Sequence, residues 1–330
     1  MNQLRSLDRL DAIRALTEPH RLAILRLLLA RPHTISSLGR QLDKHPAWVR
    51  HHVKALEDVG LVNLAATTTT RNYTEKWYKA TAAAFSVSMA VRPDTGDPSS
   101  LLALVSHDLA VELLAGEPTA PQQLRAAVTG SLDALIGVRQ GLADIAGCHL
   151  LDAETGQYNT PYARHIFPDR DMVLVTLAHR EQGLIVAPGN PLALKSVADI
   201  ASMGARFVNR NRGSGTRVWI DQALHVAGLQ GASVTGYAHE VETHTAAADA
   251  VASRRADVAV GIEAAAKRLE LGFVPLFRER YDLVMSAEVY GAVETERLLD
   301  RLHTREFKRT VSHISGYDST ATGDEYRLAV

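Results

Sequence analysis

Apolar residues between the start of the chain and Gly60 recur every three or four positions, which is the spacing of one face of an α-helix. Two such runs open the chain, and Pro19 suits the first turn of the second helix. A third, short helix can begin after Thr34, and a fourth can run from Pro46 to Val59, where Gly60 ends it. The apolar positions of the first two helices are Leu7, Leu10, Ile13, Leu16, Leu22, Leu25, Leu28 and Leu29.

After Gly60 the apolar pattern changes to that of β-strands. The runs LVNLA and NYTEKWYKA are rich in β-branched and aromatic residues, and they flank the polar segment ATTTTR. They predict a hairpin with ATTTTR at its tip. Helices followed by such a two-stranded wing form a winged helix-turn-helix, which we place at residues 1–91. Residues 92–100, RPDTGDPSS, concentrate Pro, Gly, Asp and Ser without periodicity and predict a linker.

From residue 101 onward, short apolar strands alternate with helices. This alternation predicts an α/β domain with mostly parallel strands over residues 101–330. The fold class is therefore multidomain α/β, with an N-terminal winged helix-turn-helix. The predicted strands are LLALV, LRAAV, ADIAG, MVLVTLA, GLIVA, ARFVN, DVAVG, FVPLF and DLVMS.

Charge is distributed unevenly along the chain. Residues 1–90 hold 13 Lys and Arg against 7 Asp and Glu, a charge of +6, whereas the whole chain has a formal charge of −1. A basic segment of this size attracts polyphosphates such as DNA. No apolar run is long enough to span a membrane, and the one cysteine, Cys148, fits a reducing compartment. We therefore expect a cytoplasmic protein without a membrane partner.

The predicted helix from Pro46 to Val59 separates apolar from basic residues. Val49, Val53 and Leu56 share one side at i, i+4 and i+7. Such a helix can pack by its apolar side and place its basic side in the major groove of DNA. The alternative is an ordinary solvated basic face, but the wing and the charge distribution favour DNA contact. The predicted DNA contacts are Arg50, His51 and Lys54 on this helix and Arg71 and Lys76 on the hairpin.

Three stretches of the first domain carry a resemblance to a known family. EPHRLAILRLLLARP, TISSLGRQL and HPAWVRHHVKALEDVGLV resemble the winged helix of ArsR-type repressors over about residues 10–85. The resemblance implies a homodimer on roughly palindromic, double-stranded operator DNA. Metal-sensing members bind their metal ion with cysteine pairs or with clusters of carboxylates and His. In this chain His51 and His52 are adjacent, so their side chains point about 100° apart on a helix and do not suit a shared metal ion. We expect no metal site and assign sensing to the second domain.

Several strands of the second domain lead into helices that begin with small hydroxyl residues. Unpaired N–H groups and a partial positive charge at a helix N-terminus attract anions. For any one such corner, plain helix capping is the better explanation, and it is the recurrence of the corners that indicates an anion site. The corner residues are Ser106 and His107, then Ser131, then Ser214, Gly215 and Thr216, then Thr243 and His244.

The second domain also resembles the molybdate-type periplasmic binding proteins, in the intracellular form that is fused to a DNA binder. The matching stretches are VSHDLAVELLA, GSLDALIGVRQGLADIAGCHLLDAETGQYNTP, HREQGLIVAPGNP, RFVNRNRGSGTR, ETHTAAADAVASRRADVAVGIEAAA and FVPLFRERYDLV. The resemblance implies a two-lobed, periplasmic-binding-protein-like domain with its ligand in the cleft and a second lobe at about residues 183–280. It implies that the ligand is bound by Ser106 and Ser131 from the first lobe and by Ser214, Gly215, Thr216 and Thr243 from the second.

One departure from that family leaves the ligand open. Exported molybdate binders commonly place a tyrosine just after the strand that matches DVAVG, where this chain has Glu263. A carboxylate repels a bound dianion by ~4 kcal/mol per charge pair at ~4 Å in an effective dielectric of ~20. Either Glu263 turns away from bound molybdate or tungstate, or the ligand is larger. Arg217, His107 and His244 are also more than a site built from neutral hydroxyls needs. Molybdenum cofactor or a pterin-like species would use Glu263 and Arg217 together.

An enzyme acting on an anionic small molecule is the rival class. His107 with Asp108, or Ser131 with His244, could serve as a base and a nucleophile. However, no GxSxG elbow, Walker motif or metal-ligand set accompanies them. We therefore predict a ligand-responsive transcription regulator without enzymatic activity, catalytic residues or a catalytic cofactor.

Overall fold

The chain folds into two units, Met1–Pro93 and Asp94–Val330. The structure is a computed structural model that describes residues 4–70, 73–87, 100–116 and 124–330. Most of the predicted linker, residues 92–99, therefore lies outside the described residues. The first unit contains β1 (Leu4–Leu7), α1 (Leu10–Leu16), α2 (Pro19–Ala30), β2 (His33–Thr34), α3 (Ile35–Leu42), α4 (Pro46–Asp58), β3 (Val62–Thr70), β4 (Tyr73–Ala80) and β5 (Ala84–Val87).

Local capping determines where the helices of the first unit begin. The Glu18 side chain accepts a hydrogen bond from the Arg21 N–H at 2.8 Å and so caps α2. Thr34 and Ser37 form a reciprocal capping box at the start of α3. The His45 side chain caps α4. The apolar sides of these helices pack into one core whose fully buried members include Ile24, Leu38, Val49, Leu56 and Leu61.

Two predictions for this unit need correction. The polar run Thr67 to Thr70 belongs to β3 and pairs with β4, instead of forming the hairpin tip, because β-branched threonine suits an extended strand. Leu7, predicted to lie on the first helix, instead belongs to strand β1, which pairs in parallel with β5. Arg5 in β1 donates a hydrogen bond to the Gly60 carbonyl at 3.0 Å, which links this strand to the end of α4.

The second unit is an α/β domain, which confirms the predicted fold class. None of the helices within the described ranges has both the length and the apolar character needed to cross a membrane. A short 3-10 helix occupies Gly231–Ser233. The other elements are β6 (Leu101–Val105), α5 (Leu109–Ala115), β7 (Leu124–Val128), α6 (Ser131–Arg139), β8 (Ile145–Cys148), α7 (Thr160–Ile166), β9 (Met172–Val186), α8 (Val197–Ser202), β10 (Phe207–Arg210), α9 (Gly215–Val226), β11 (Glu240–Val241), α10 (His244–Ala252), β12 (Val258–Ile262), α11 (Glu263–Arg268), β13 (Gly272–Ser286), α12 (Ala287–Tyr290), α13 (Val293–His303), α14 (Arg305–Ser312), β14 (Tyr317–Asp318) and β15 (Glu325–Leu328).

Two long strands run through both halves of this sheet. Its order is β11-β10-β12-β9-β13-β8-β6-β7, and β14 and β15 also pair with β9. β9 and β13 are 15 residues each. One half of each pairs within the first lobe, which contains β6 to β8 and α5 to α7. The other half belongs to the second lobe, which contains β10 to β12 and α8 to α11.

The strands are of mixed direction. β6 is parallel to β7 and β8, and β10 is parallel to β11 and β12. The crossover strands β9 and β13 are antiparallel to each other. β9 is also antiparallel to its neighbour β12, and β13 is antiparallel to its neighbour β8. The prediction of mostly parallel strands is therefore wrong for the crossovers. The chain passes between the lobes twice in opposite directions, so the two crossover strands must run antiparallel.

One apolar core is shared by the two lobes, and each lobe has a further core of its own. The shared core joins Val111 of α5 to Ala247 of α10 and Leu298 of α13. A second core lies around α6 and α7, and a third around α8 and α9. The lobes are thus tied together by packing as well as by the crossover strands.

Gly183 provides a test of the crossover packing. A Cβ atom at this position would lie 2.1 Å from the Val274 carbonyl oxygen of the neighbouring strand. We expect Gly183→Ala to lower the free energy of unfolding by about 1–3 kcal/mol, because the backbone of β13 must move. Urea unfolding of the full chain measures this.

Gly291→Ala is the matched control, since its Cβ would lie 3.5 Å from the Ala287 carbonyl oxygen, an ordinary contact. Equal unfolding free energies for the two variants would contradict the crossover packing described above.

Candidate ligand site and DNA-reading surface

The two lobes touch where α6 and α9 begin. The Leu132 N–H donates to the Gly213 carbonyl at 3.2 Å. A Cβ atom on Gly130 would lie 2.9 Å from the Gly213 carbonyl carbon, so only glycine allows this approach. Gly213 itself has φ +81, the left-handed conformation that glycine adopts without strain. The cleft between the lobes is therefore closed over the polar side chains beneath it.

Arg180, on crossover strand β9, is the centre of those side chains. It is fully buried, and its guanidinium donates to Asp108 at 2.6 Å and to Glu279. It also lies over the Tyr281 ring, 4.7 Å from the centroid. Burial opposes the charged form, but Glu279 and Asp108 together raise the pKa of Arg180 well above its usual value. Asp108 further accepts from the Tyr317 hydroxyl at 2.7 Å.

Glu279 connects Arg180 to a histidine and a serine. His149 Nδ1 lies 2.7 Å from Glu279 Oε2, and His149 Nε2 lies 3.0 Å from Ser106 Oγ. Burial favours a neutral Glu279, but Arg180 and His149 lower its pKa to about 2. Burial also lowers the pKa of His149. At neutral pH we therefore assign an ionised Glu279 and a neutral His149.

Gln182 joins this network to the second lobe. Its side-chain N–H groups donate to Glu279 Oε1 at 2.7 Å and to Thr216 Oγ1 at 3.0 Å. Thr216 lies in the first turn of α9. At neighbouring Gly215 a Cβ would lie 2.5 Å from His149 Nδ1. Glycine thus allows the start of α9 to approach the histidine of the first lobe.

Arg210 and His244 form a second buried group. Arg210 Nη1 donates to His244 Nδ1 at 2.9 Å, and Nη2 donates to the Glu242 carbonyl at 2.8 Å. Burial and the positive charge of Arg180 lower the pKa of Arg210 to about 9, so it is still charged at neutral pH. Burial, Arg210 and Arg180 lower the pKa of His244 well below its usual value. The second group is therefore a cation beside a neutral imidazole.

The structure brings five of the ten predicted ligand residues to this closed cleft. Ser106, Gly215, Thr216 and His244 take part in the contacts above, and Ser131 Oγ accepts from the His149 N–H at 3.4 Å.

Two further predicted ligand residues are helix caps. Ser214 Oγ accepts from the Arg217 N–H at 3.3 Å and donates to the Asn211 carbonyl at 2.9 Å. Thr243 Oγ1 accepts from the Ala246 N–H at 3.0 Å. The hydroxyl hydrogen of Ser214 is therefore used by Asn211, whereas Thr243 is shown only as an acceptor. Contact of either residue with a ligand stays a prediction.

Arg217 is surrounded by acidic and aromatic groups of its own lobe. Its guanidinium donates to Asp221 at 3.0 Å and to Glu240 at 2.9 Å, and it lies over the Tyr237 ring. Two carboxylates thus already compensate its charge.

His107 and Glu263 lie at the margin of the buried cluster. His107 Nε2 is 3.2 Å from Glu112, and its ring centroid is 6.4 Å from that of His244. Glu263 begins α11, 4.0 Å from Lys267 and beside Gly316. Contact of either residue with a ligand stays a prediction.

The predicted start of the first corner helix needs correction. The sequence suggested a helix beginning at Ser106, whereas α5 begins at Leu109. Asp108 caps it, because its carboxylate accepts from the Val111 N–H at 2.9 Å.

Several central residues were not identified from the sequence. A usable signal was present, since charged residues interrupt the apolar runs of both crossover strands, as HREQ in one and RER in the other. Charged residues inside a buried strand require partners, which indicates a polar site. The residues missed were Asp108 as a network member, His149, Arg180, Gln182, Arg210 and Glu279.

The predicted DNA-reading helix has the expected division of its faces. Arg50 and His51 are exposed, whereas Val49 is fully buried. Lys54 is exposed but lies 2.9 Å from Asp58 and 3.4 Å from Glu57. The structure brings Arg50, Lys54 and Lys76 to one groove between α4 and the hairpin. Arg71 lies outside the described residues.

Potential metal ligands do not cluster among the described residues. These residues contain no group of three or more His, Cys, Asp or Glu side chains that could hold an ion. His52 is buried and packs on Trp48, with ring centroids 4.1 Å apart.

Comparison with known proteins identifies both units. A family model described as a PBP superfamily domain matches residues 113–303, and one described as a helix-turn-helix domain matches residues 16–65. Uncharacterized protein YvgK of Bacillus subtilis (strain 168) is 38% identical over 194 residues, which are 59% of this chain. Those residues span 62% of YvgK, less than two thirds of its length. An uncharacterized protein in the 5′ region of a ferredoxin 2Fe-2S gene of Clostridium pasteurianum is 32% identical over 107 residues, covering 32% of this chain and 95% of that protein.

Solved structures with a similar fold include two transport proteins. The tungstate ABC transporter structure from Geobacter sulfurreducens has a TM-score of 0.47 and 13% identity, and covers 64% of this chain and 97% of that one. An ABC-type phosphate transport receptor from Vibrio cholerae has a TM-score of 0.43 and 16% identity, and the match covers 66% of this chain and 99% of that one. Family membership follows from the match to the family model of the PBP superfamily domain, because that match spans more than half of the chain. The chain belongs to the PBP superfamily domain family, here joined to a helix-turn-helix domain.

Proposed function

We propose that this protein is a cytoplasmic, homodimeric transcription regulator that senses a small anion. A helix-turn-helix joined to a PBP superfamily domain indicates a ligand-responsive transcription regulator. The winged helix binds a roughly palindromic operator as a dimer, in the manner of ArsR-type repressors. The closed cleft of the second unit binds the effector.

The burial and the contacts of Arg210 are the observation that supports an anionic effector. It is 1% exposed, and the hydrogen-bond acceptors of its guanidinium among the described residues are the Val241 and Glu242 carbonyls and neutral His244. A buried cation without a contacting carboxylate is costly, and a bound anion removes that cost. The N-termini of α6 and α9, which meet at the cleft, add positive potential.

The position of Glu263 favours a compact anion over a larger ligand. Glu263 lies against Gly316 and near Lys267, and Arg217 is already paired with Asp221 and Glu240. Molybdate and tungstate are the compact anions that the family resemblance suggests. Molybdenum cofactor or a pterin-like ligand is the alternative, and it would use Glu263 and Arg217 together.

Arg50 tests the DNA-reading surface. Arg50→Ala should weaken operator binding by about 1–3 kcal/mol, because an exposed base or phosphate contact is lost. Lys54→Ala should cost less, since Asp58 and Glu57 already compensate this ammonium. Gel-shift affinities at several salt concentrations measure both effects and the change in salt dependence.

Lys195→Ala is the control for the loss of one positive charge, because this exposed lysine lies in the sensor unit. If Arg50→Ala weakens operator binding no more than Lys195→Ala, then α4 is not the reading helix.

Ser131 and Thr216 test the sensor from its two lobes. Ser131→Ala and Thr216→Val should each weaken anion binding by about 1–3 kcal/mol, since a desolvated anion loses a donor that water cannot replace. Calorimetry with molybdate, tungstate, sulfate and phosphate measures the loss. Melting temperatures without ligand verify that the variants are folded.

Glu263→Gln accompanies these variants as a control. For a compact dianion it should leave affinity unchanged or improve it, because a negative neighbour is removed. Weaker binding of a pterin-like ligand by Glu263→Gln would instead favour the larger effector, since a charge-assisted hydrogen bond is lost.

A hydrolase is the second candidate, and one observation favours it. Ser106, His149 and Glu279 are linked as a nucleophile, a base and an orienting carboxylate. If the protein is a hydrolase, it should turn over small anionic esters, and Ser106→Ala should abolish the turnover. Labelling by a fluorophosphonate provides a second measurement. Absence of both turnover and labelling would leave this triad as part of the ligand site alone.

A further inference from the structure

The cleft contains hydrogen-bonding atoms whose roles are fixed by partners that can act in only one way. An arginine donates and an ionised carboxylate accepts. Following these constraints outward from Arg210 and Glu279 determines which buried atoms can act only as donors and which can act only as acceptors.

His244 is a fixed donor. Its Nδ1 accepts from Arg210 Nη1 at 2.9 Å, so the proton of the neutral ring is on Nε2. His244 is fully buried, and Nε2 has no partner among the described residues. Arg180 Nε is a second buried donor without a partner. These two groups suit the oxygens of an anion.

Gln182 is a fixed acceptor. Its side-chain nitrogen donates to Glu279 Oε1 at 2.7 Å, and a carboxylate cannot donate in return, so the orientation of the amide is determined. The other atom of the amide, Oε1, is therefore an acceptor. It is buried and without a partner within the described ranges. A fully deprotonated anion has no hydrogen to offer it.

Ser106 adds a second acceptor. Because Glu279 accepts from His149 Nδ1, the Nε2 atom of neutral His149 must accept from the Ser106 hydroxyl. The single hydroxyl hydrogen of Ser106 is thereby used. Toward a ligand, Ser106 Oγ can then act only as an acceptor. The cleft therefore contains two acceptors in addition to its donors, Ser106 Oγ from the first lobe and Gln182 Oε1 from the crossover strand.

Building on the anion sensor proposed above, we propose that the bound anion carries a hydrogen on one of its oxygens and donates it to Gln182 Oε1. Its deprotonated oxygens accept from His244 Nε2 and Arg180 Nε. Hydrogen phosphate and hydrogen arsenate have this chemistry, as does a small hydroxy acid. Sulfate, molybdate and tungstate lack the hydrogen at neutral pH and leave the buried acceptor unpaired, which lowers their affinity.

Two matched pairs of ligands test this proposal on the unmodified full chain. Near about pH 8, most phosphate is a singly protonated dianion of the same charge and shape as sulfate. Calorimetry should show phosphate binding at least about tenfold more tightly than sulfate, molybdate or tungstate. Glycolate and acetate, which differ by one hydroxyl group, form the second pair. If the protein prefers glycolate over acetate but does not prefer phosphate over sulfate, the ligand is a hydroxy acid.

Gln182→Met identifies the acceptor, because the side chain keeps its length and loses its hydrogen-bonding atoms. The phosphate to sulfate affinity ratio should fall toward one. Ser131→Ala is the control, since losing a donor weakens both anions alike and leaves the ratio unchanged. A ratio unchanged by Gln182→Met would overturn the role of Gln182.

Failure of this inference is distinguishable from failure of the anion sensor. Sulfate, molybdate or tungstate binding as tightly as phosphate, and acetate as tightly as glycolate, would overturn the proton-carrying ligand and leave the anion sensor standing. Binding of none of these ligands at micromolar concentrations would overturn both.

Discussion

The pairing of Arg180 with Glu279 and Asp108 is the interaction on which the ligand unit depends. The register of β9 and β13 places Arg180 directly opposite Glu279, and Asp108 caps the first helix of the first lobe. All three side chains are at most 2% exposed. Removing one partner of such a buried pair typically costs about 3–5 kcal/mol, because a charge remains without compensation. The same contacts therefore hold both crossover strands and the start of α5 in position.

This pairing also determines the chemistry of the cleft. An ionised Glu279 fixes the tautomer of His149 and the orientation of the Gln182 amide. His149 in turn uses the hydroxyl hydrogen of Ser106. The resulting pattern of donors and acceptors is set before a ligand arrives, so binding does not have to reorganise it. Selectivity between anions of equal charge and shape can then arise from a single hydrogen bond.

Local patterns predicted much of the fold and part of the site. Helical spacing and caps such as Thr34, Ser214 and Thr243 are properties of neighbouring residues, and the structure has helices at each of them. The contact of Arg180 with Glu279 joins residues 99 positions apart, and no local pattern encodes it. The parallel pairing of β1 with β5 escaped prediction for the same reason. A helix corner could thus be recognised from the sequence, whereas the buried cation Arg210, on which the proposed anion site rests, could not.

The distribution of the cleft groups between the lobes bears on how a ligand can act. Arg210 and His244 belong to the second lobe, and Ser106 and His149 to the first. A ligand shifts a conformational equilibrium only by its difference in affinity for the two states. An anion that bonds to groups of both lobes would have such a difference relative to any state in which the lobes stand apart. In the closed cleft, Arg210 is a buried cation with no carboxylate in contact among the described residues. The proposed anion would thus stabilise closure in two ways, by linking the lobes and by compensating a charge that is buried in the closed cleft.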